Sequence, residues 1–357
     1  MNNNLSDFRS SGLSDFPKEK GFHFPAEWAP HTATWLSWPH KEASWPGKIH
    51  TIYRPYCEFI KVLTEGELVR INLADEKLKA FAITELEAVG ADLSKIEFFN
   101  FETNDAWCRD HGPAFLINPE TKQKVIIDWG YNAWGNKYPP YNLDDVIPTK
   151  IAEHFGLPVF HPGIVMEGGS VEFNGQGTVL TTTACLLNKN RNPHLDQQQI
   201  EAYLKNYYGV EQVLWLGEGI IGDDTDGHID DITRFVNSDT VITVVEENKN
   251  DENYHILQDN LKTLKTMRLL DGKALNIVEL PMPDPVFYDG QRLPASYANF
   301  YIANSAVIVP TFRCKKDQTA LDIIKQCFPD RKVVGIDSTD IIWGLGSFHC
   351  LSQQEPV

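Results

Sequence analysis

The sequence predicts an α/β fold of five hairpin-helix-strand (ββαβ) modules set about a pseudo-fivefold axis, and three observations lead there. Two short apolar runs around a polar turn recur four times after residue 113, an asparagine marks each turn, and helix-like then strand-like stretches follow. Units of this size cannot bury their apolar faces alone, so they must pack on one another.

Taken in order, residues 1–20 are polar and read as a flexible tail, leaving 21–357 as one catalytic α/β domain. The aromatic, proline-flanked stretch 24–31 leads into a strand over 33–38. Apolar periodicity then places a helix over 51–64, a strand over 68–73, a helix over 76–89 and a strand over 96–99. The hairpins are expected at 114–118 with 125–128, 170–174 with 178–181, 232–237 with 240–244, and 300–304 with 306–309. Their turn asparagines, Asn118, Asn174, Asn237 and Asn304, are 56, 63 and 67 residues apart. Helix-strand pairs follow at 195–208 with 213–216, 254–265 with 275–280, and 318–328 with 332–336.

Composition narrows the function. A chain of 357 residues that is 42% hydrophobic, with nine Trp and nineteen Phe, can bury a large core. The formal charge of −17 argues against a nucleic-acid or anionic-membrane surface, which needs clustered Lys and Arg, and suits a small cationic ligand. Six cysteines without a CxxC pair indicate neither a zinc knuckle nor a disulfide framework, and fit a reducing, cytoplasmic setting. No secretory signal stands in residues 1–20, and no run of eighteen apolar residues marks a membrane span. The acidic loop 223–231 lacks the glycine that a twelve-residue calcium loop starting at Asp224 needs at its sixth position, so no metal and no cofactor is expected.

The polar residues fall in a pattern. Cys350 lies beyond Gly344 and Gly346 near the chain's end, on backbone able to present a side chain at a pocket, although a lone cysteine is more often a small buried hydrophobe. Just before the first hairpin stand Asp105, Trp107, Arg109 and Asp110; before the second, Glu167; before the third, Asp226, His228, Asp230 and Asp231. Equivalent places in modules around an axis lie close in space, so Asp110, Glu167, His228 and Asp230 should converge. Cys350 joins them if the C-terminal segment returns to the first module. Cysteine with histidine proposes covalent catalysis. Surrounding carboxylates are hostile to the oxyanion of acyl transfer but suit a cation, and Asp110 with Asp230 can hold a planar guanidinium over the sulfur. His349 is not chosen as the base, because neighbours in extended chain point apart. Cys57, Cys185, Cys314 and Cys327 read as packing residues.

These motifs carry a resemblance. Through FPAEW (24–28), NDAWCRDHGP (104–113), GYNAWG (130–135), EGG (167–169), GHID (227–230), ASYANFY (295–301) and HCLSQQEP (349–356), the chain resembles the agmatine deiminases. That group sits within the guanidino-group-modifying superfamily, whose fold is the five-bladed α/β propeller called the pentein fold. The resemblance implies hydrolysis of agmatine to N-carbamoylputrescine and ammonia, and a homo-oligomer. It gives Cys350 the nucleophile's place, His228 the general acid/base's, Asp110 and Asp230 the guanidinium carboxylates', and Glu167 that of the carboxylate orienting the histidine. Trp107 and Trp134 are expected to flank the substrate's tail or guanidinium face, and Asp105, Asp226 or Asp231 to meet its distal amine. Two other readings stay open: a peptidyl-arginine deiminase, and a guanidinium-binding protein without catalysis.

Overall fold

The computed structural model describes residues 16–357. Residues 1–15 of the expected tail lie outside the described residues. Within the remainder, Pro17–Lys20 form a 3-10 turn rather than a tail. Lys18 Nζ donates to the Val210 carbonyl at 3.0 Å and pairs with Glu211 at 2.8 Å, so packed chain begins before the boundary expected at residue 21.

The first module runs β1 (His31–Ser37), α1 (Ile49–Leu63), β2 (Leu68–Asn72), α2 (Glu76–Val89) and β3 (Ile96–Phe99). In α1 the buried Ile52, Tyr56, Cys57, Phe59, Ile60 and Leu63 recur at helical spacing and form one stripe against β1 and β2. Burying each of the large aliphatic or aromatic side chains contributes roughly 1.5–3 kcal/mol. The second helix begins where the Asp75 side chain accepts from Leu78 N–H and ends at Gly90, whose φ of 74° makes the left-handed turn that stops it.

After a single helical turn, α3 (Cys108–His111), come β4 (Ala114–Ile117), β5 (Lys124–Ile127), α4 (Ile147–Phe155) and β6 (Val159–Phe160). Next are β7 (Val171–Phe173), β8 (Thr178–Thr182), α5 (Thr183–Leu186), α6 (Gln197–Tyr208) and β9 (Gln212–Leu216). Then follow β10 (Thr233–Phe235), β11 (Thr240–Val245), α7 (Asn253–Thr266) and β12 (Asn276–Pro281). A small hairpin, β13 (Phe287–Tyr288) with β14 (Gln291–Arg292), precedes β15 (Tyr301–Ile302), β16 (Ala306–Thr311), α8 (Asp317–Cys327), β17 (Lys332–Asp337) and β18 (Ser352–Pro356).

One pattern organises the main sheets: an antiparallel hairpin whose second strand pairs in parallel with the strand after the helix, as in β4-β5-β6, β7-β8-β9, β10-β11-β12 and β15-β16-β17. The first module obeys it too, with its missing hairpin strand supplied from the other end of the chain. There β18 pairs antiparallel with β1, Trp35 opposite Gln353 and Leu36 opposite Ser352, while β1 pairs parallel with β2. This return of the C-terminus is what brings residue 350 to the first module.

The turn asparagines have a physical task. Asn118 Oδ1 accepts from the N–H groups of Glu120 and Thr121, and Asn174 Oδ1 from those of Gln176 and Thr178. Asn174 Nδ2 then donates across to Ser238 O, and Asn304 Nδ2 to His31 O, so the same residue that closes a hairpin ties it to the next unit. Among the described residues no helix is long and apolar enough to cross a membrane.

Candidate active site

The turns that precede the hairpins carry the polar residues. Asp110 sits on α3, Glu167 starts the 3-10 turn Gly168–Ser170, and His228 starts another at Ile229–Asp231. Short turns rather than strands hold them because each segment must bend sharply before its hairpin begins. The Gly168-Gly169 pair permits the closest approach. A Cβ at Gly169 would stand 2.5 Å from His228 Nδ1, 2.9 Å from Asp110 Oδ1 and 3.1 Å from Asp230 Oδ2, and the backbone N–H of Gly169 donates to Asp110 Oδ1 at 2.9 Å. His228 Nδ1 is 3.8 Å from Asp110 Oδ1, and Cys350 Sγ is 3.6 Å from Asp230 Oδ2. Asp110, His228, Asp230 and Cys350 are thus gathered about one point.

Two residues join them that the sequence reading gave no role. Asn299 donates through Nδ2 to Cys350 Sγ at 3.0 Å and to Asp231 Oδ1 at 2.9 Å. His349 bridges two carboxylates, Nδ1 to Asp230 Oδ2 at 2.6 Å and Nε2 to Glu27 Oε2 at 2.7 Å. The chain turns through 348–351 rather than extending, so neighbouring His349 and Cys350 both reach Asp230. The expectation that they point apart is corrected, although both ring nitrogens of His349 are engaged. Asn299 and Glu27 lay inside quoted motifs, and nothing in residue type or spacing marked them out.

Glu167 is buried and its Oε1 accepts from Arg191 Nε at 2.6 Å. Its Oε2 has no hydrogen-bond partner among the described residues, and the carboxylate lies within 4.8 Å of a His228 ring nitrogen without bonding to it. Asp226 departs from expectation: its oxygens are taken by Lys137 Nζ at 2.8 Å, Asn190 Nδ2 at 2.9 Å and Arg191, and it does not line the cavity described next. Asp231 is likewise turned inward, toward Asn299, and not toward a distal amine.

A cavity of about 220 Å³ reaches this point at Asp110 and Cys350, with Trp107, Trp134, Asp105, Tyr138, Asp224, Tyr288 and Trp343 also in its lining, while the fully buried His228, Asp230 and Glu167 are not part of that lining. Trp107 packs at a tilt against Trp45, ring centroids 5.4 Å apart, and lies close to the backbone of Gly344 and Gly346. Trp134 donates from Nε1 to Asp110 Oδ2 at 2.9 Å. It does so from a left-handed turn, Ala133 to Asn136, with φ of 50°, 55°, 85° and 65° in succession. That conformation costs about 1–2 kcal/mol for each non-glycine residue and is held by Asn132, which accepts from Gly135 N–H and donates to Asn190 O. Asp105 is engaged by Ser44 Oγ at 2.6 Å and Lys41 Nζ at 3.3 Å.

The charges are unevenly matched. Glu27 pairs with Arg109 and Arg234, Glu172 with Arg234, and Glu167 with Arg191. Asp110, Asp230 and Asp231 have no Arg or Lys partner among the described residues, and they are the carboxylates around the sulfur. Burial raises the Cys350 thiol well above its ordinary range, and Asp230, Asp231 and Asp110 push it further. Burial also raises Asp110 and Asp231. Asp230 goes the other way: burial opposes its charge, but His349 and His228 hold it below the usual carboxylate range. Burial works against a charged His228 as well, yet Asp110, Cys185 and Asp230 keep it protonated well above the ordinary imidazole range. Several buried polar atoms, Asp230 Oδ1, Glu167 Oε2 and both His228 nitrogens, have no hydrogen-bond partner among the described residues. Such atoms are costly, and a planar cation rich in N–H donors would satisfy the acceptors.

Comparison with known proteins agrees with that chemistry. The family model for Porphyromonas-type peptidyl-arginine deiminases matches residues 23–356. A protein of Ectopseudomonas mendocina named agmatine deiminase is 34% identical, covering 97% of this chain and 98% of its own. The solved agmatine deiminase of Enterococcus faecalis superposes with a TM-score of 0.89 at 33% identity, covering 96% of this chain and 98% of the other. A C. jejuni agmatine deiminase, solved as a cysteine-to-serine variant with substrate bound, gives 0.85 at 34% identity, covering 94% and 96%. Matched over nearly its whole length at a third identity, the chain belongs to the Porphyromonas-type peptidyl-arginine deiminase family, and within it to the agmatine deiminases.

Proposed function

We propose that this chain hydrolyses agmatine to N-carbamoylputrescine and ammonia through a covalent intermediate on Cys350, with His228 as general acid and then base. The observation that carries the reading is the set of three carboxylates, Asp110, Asp230 and Asp231, that lie around the Cys350 sulfur without an Arg or Lys partner among the described residues, faced only by the imidazoles of His228 and His349. A guanidinium supplies the missing positive charge and, through its N–H groups, the donors that Asp230 Oδ1 lacks. Asp110 and Asp230 hold it, with its central carbon facing Sγ. Seated there, the cation opposes the forces that raise the thiol and so promotes the thiolate.

Cys350 Sγ then adds to the guanidinium carbon. His228, kept protonated by the carboxylates near it, gives a proton to one nitrogen, and the C–N bond breaks to release ammonia. The thiouronium left on Cys350 is attacked by water, His228 takes the water's proton, and the C–S bond breaks to return the thiol and the carbamoyl product. Glu167, within 4.8 Å of the imidazole and anchored by Arg191, is the positioning residue for His228. His349 and Glu27 hold Asp230 in place behind it.

Agmatine fits better than free arginine. Arg109, buried and occupied by Gln354, Glu27 and the His349 carbonyl, is not available to an α-carboxylate. Lys41, the cation of the lining, faces Asp105. Asp224, exposed in the cavity lining with one oxygen accepting from the Tyr138 hydroxyl and no cation paired to its carboxylate among the described residues, is the group we assign to the distal amine, in place of the Lys- and Arg-paired Asp226. Trp107 and Trp134 flank the aliphatic tail. For the fold, the repeated sheet pattern supports five ββαβ blades about one axis as a single catalytic domain, with β18 completing the first blade.

The test is ammonia release from agmatine, free arginine and a blocked arginine peptide, with Cys350→Ser as control. Turnover of agmatine alone, lost in Cys350→Ser, is expected. Release from the peptide instead would favour the peptidyl-arginine reading that the family's name suggests. Tight binding of agmatine with no turnover would leave a binding protein.

A further inference from the structure

The β13–β14 hairpin lies outside the repeated sheets, and it borders the cavity. Tyr288, Gln291 and Leu293 line the cavity from that side. The Tyr288 ring lies 3.8 Å from the ring of Trp343, and Lys48 Nζ is 3.4 Å from the centroid of the same tryptophan. Three segments remote in sequence, the start of α1, the hairpin and the turn leading to Cys350, therefore meet at Trp343, which lines the cavity.

Fixed and free parts of the hairpin differ. Its base is pinned: Arg292 Nη1 donates to Asp251 Oδ1 at 2.7 Å, Leu293 N–H donates to Val286 O at 2.8 Å, and the Arg292 carbonyl lies 2.2 Å from where a Cβ at Gly222 would stand. Its tip is not: Phe287 is 59% exposed, and Asp289 and Gly290 turn through positive φ. A second cavity, of about 420 Å³, whose lining does not include Cys350, is bounded by Ile221, Glu252, Phe287 and Gly290 among others. Within the hairpin Tyr288 lines the first cavity, Phe287 lines the second and Gln291 lines both, so the hairpin stands between the two; Asp224, Tyr138, Leu293 and Leu345 also line both.

We propose that this hairpin, latched by Tyr288 on Trp343, is a length gate: it closes the distal end of the substrate cavity and restricts turnover to small free guanidines. A guanidine whose amine end is extended by an acyl group or a peptide would have to displace Tyr288, whereas agmatine ends short of it. The hairpin can swing about its pinned base into the second cavity, which gives substrate its way in. The inference takes its choice of substrate from the deiminase reading, but the wall is a statement about geometry and is tested apart from turnover.

The test uses the full chain as Tyr288→Ala, as Trp343→Phe, and as a variant with residues 287–292 replaced by a short glycine linker. The rates at which iodoacetamide and a bulky maleimide label Cys350 are compared, with Cys350→Ser giving the background. A retained thermal melt certifies each fold, and the point variants carry the test if the linker variant does not fold. The bulky-to-small rate ratio should rise about tenfold when the latch is removed, and kcat/KM for an N-acylated agmatine relative to agmatine should rise by a similar factor. A ratio unchanged within about twofold in folded variants would overturn the gate. Absence of agmatine turnover in the unaltered protein, with the labelling ratio still moving, would overturn the deiminase reading and leave the gate standing.

Discussion

Adding a guanidinium ligand should lower the apparent pKa of Cys350, and the size of the drop follows from the charges around the sulfur. With Asp230 Oδ2 3.6 Å from Sγ, a cation held between Asp110 and Asp230 comes to a similar distance from the sulfur. At an effective dielectric of about 20, unit charges about 3.6 Å apart interact by roughly 4–5 kcal/mol, which corresponds to about three pKa units. The assay is the far-ultraviolet absorbance of the thiolate against pH, as the difference between the unaltered protein and Cys350→Ser, with and without a non-hydrolysable alkylguanidine. Burial pushes Cys57 and Cys108 up to about 12, and the subtraction of Cys350→Ser removes what the other cysteines contribute. A titration that moves by less than about one unit on binding would refute the claim that the substrate's own charge makes the nucleophile, since it would leave less than about 1.4 kcal/mol for that interaction.

Other expectations rest on single contacts. Asp224→Asn should raise KM for agmatine about tenfold with kcat little changed, the value of one charge-assisted hydrogen bond, in steady-state kinetics. His349→Ala removes the donor that bridges Asp230 to Glu27, so kcat should fall about a hundredfold while Cys350 still alkylates. Glu167→Ala leaves the fully buried Arg191 without that carboxylate and should lower unfolding free energy in urea by about 3 kcal/mol, beyond any loss of activity. The ligand-free protein should melt highest on the acid side of neutrality. Asp110 and Asp231, raised in the folded state, gain stability as pH falls toward the ordinary carboxylate range, whereas Asp230 and Glu27, lowered in the folded state, lose it as pH falls below that range.

What could be read from sequence was what repeats or what has a distinctive side chain. The helix over 76–89 was legible to the residue, because Asp75 caps its start and Gly90 stops its end, and the hairpin strands were legible to within a residue or two. The helix Ile147–Phe155 and the two-residue strand β6 carry too short an apolar signal, and β13 and β14 fall outside the repeat altogether. Strand pairing between β1 and β18 joins residues more than three hundred apart, and only the need to complete the first module hinted at it.

Within the site, the same division holds for a physical reason. Cys350, His228, Asp110 and Asp230 stand out because their chemistry is scarce in a core and their positions relative to the hairpins are equivalent. Asp226 was misjudged because sequence shows a carboxylate but not the cations that neutralise it, here Lys137 and Arg191. Asn299 and Glu27 were missed for the converse reason, since an amide or a carboxylate becomes special only by what it faces. Asn299 faces the sulfur, and Glu27 gathers Arg109, Arg234 and His349 behind Asp230. The Glu27 cluster ties Arg109 and Arg234 behind Asp230, so that only imidazoles, His349 at Asp230 and His228 at Asp110, stand against the acidic groups in front. An anionic pocket in a protein that contains buried arginines so close by is therefore made by where the arginines are tied, as much as by where the aspartates stand.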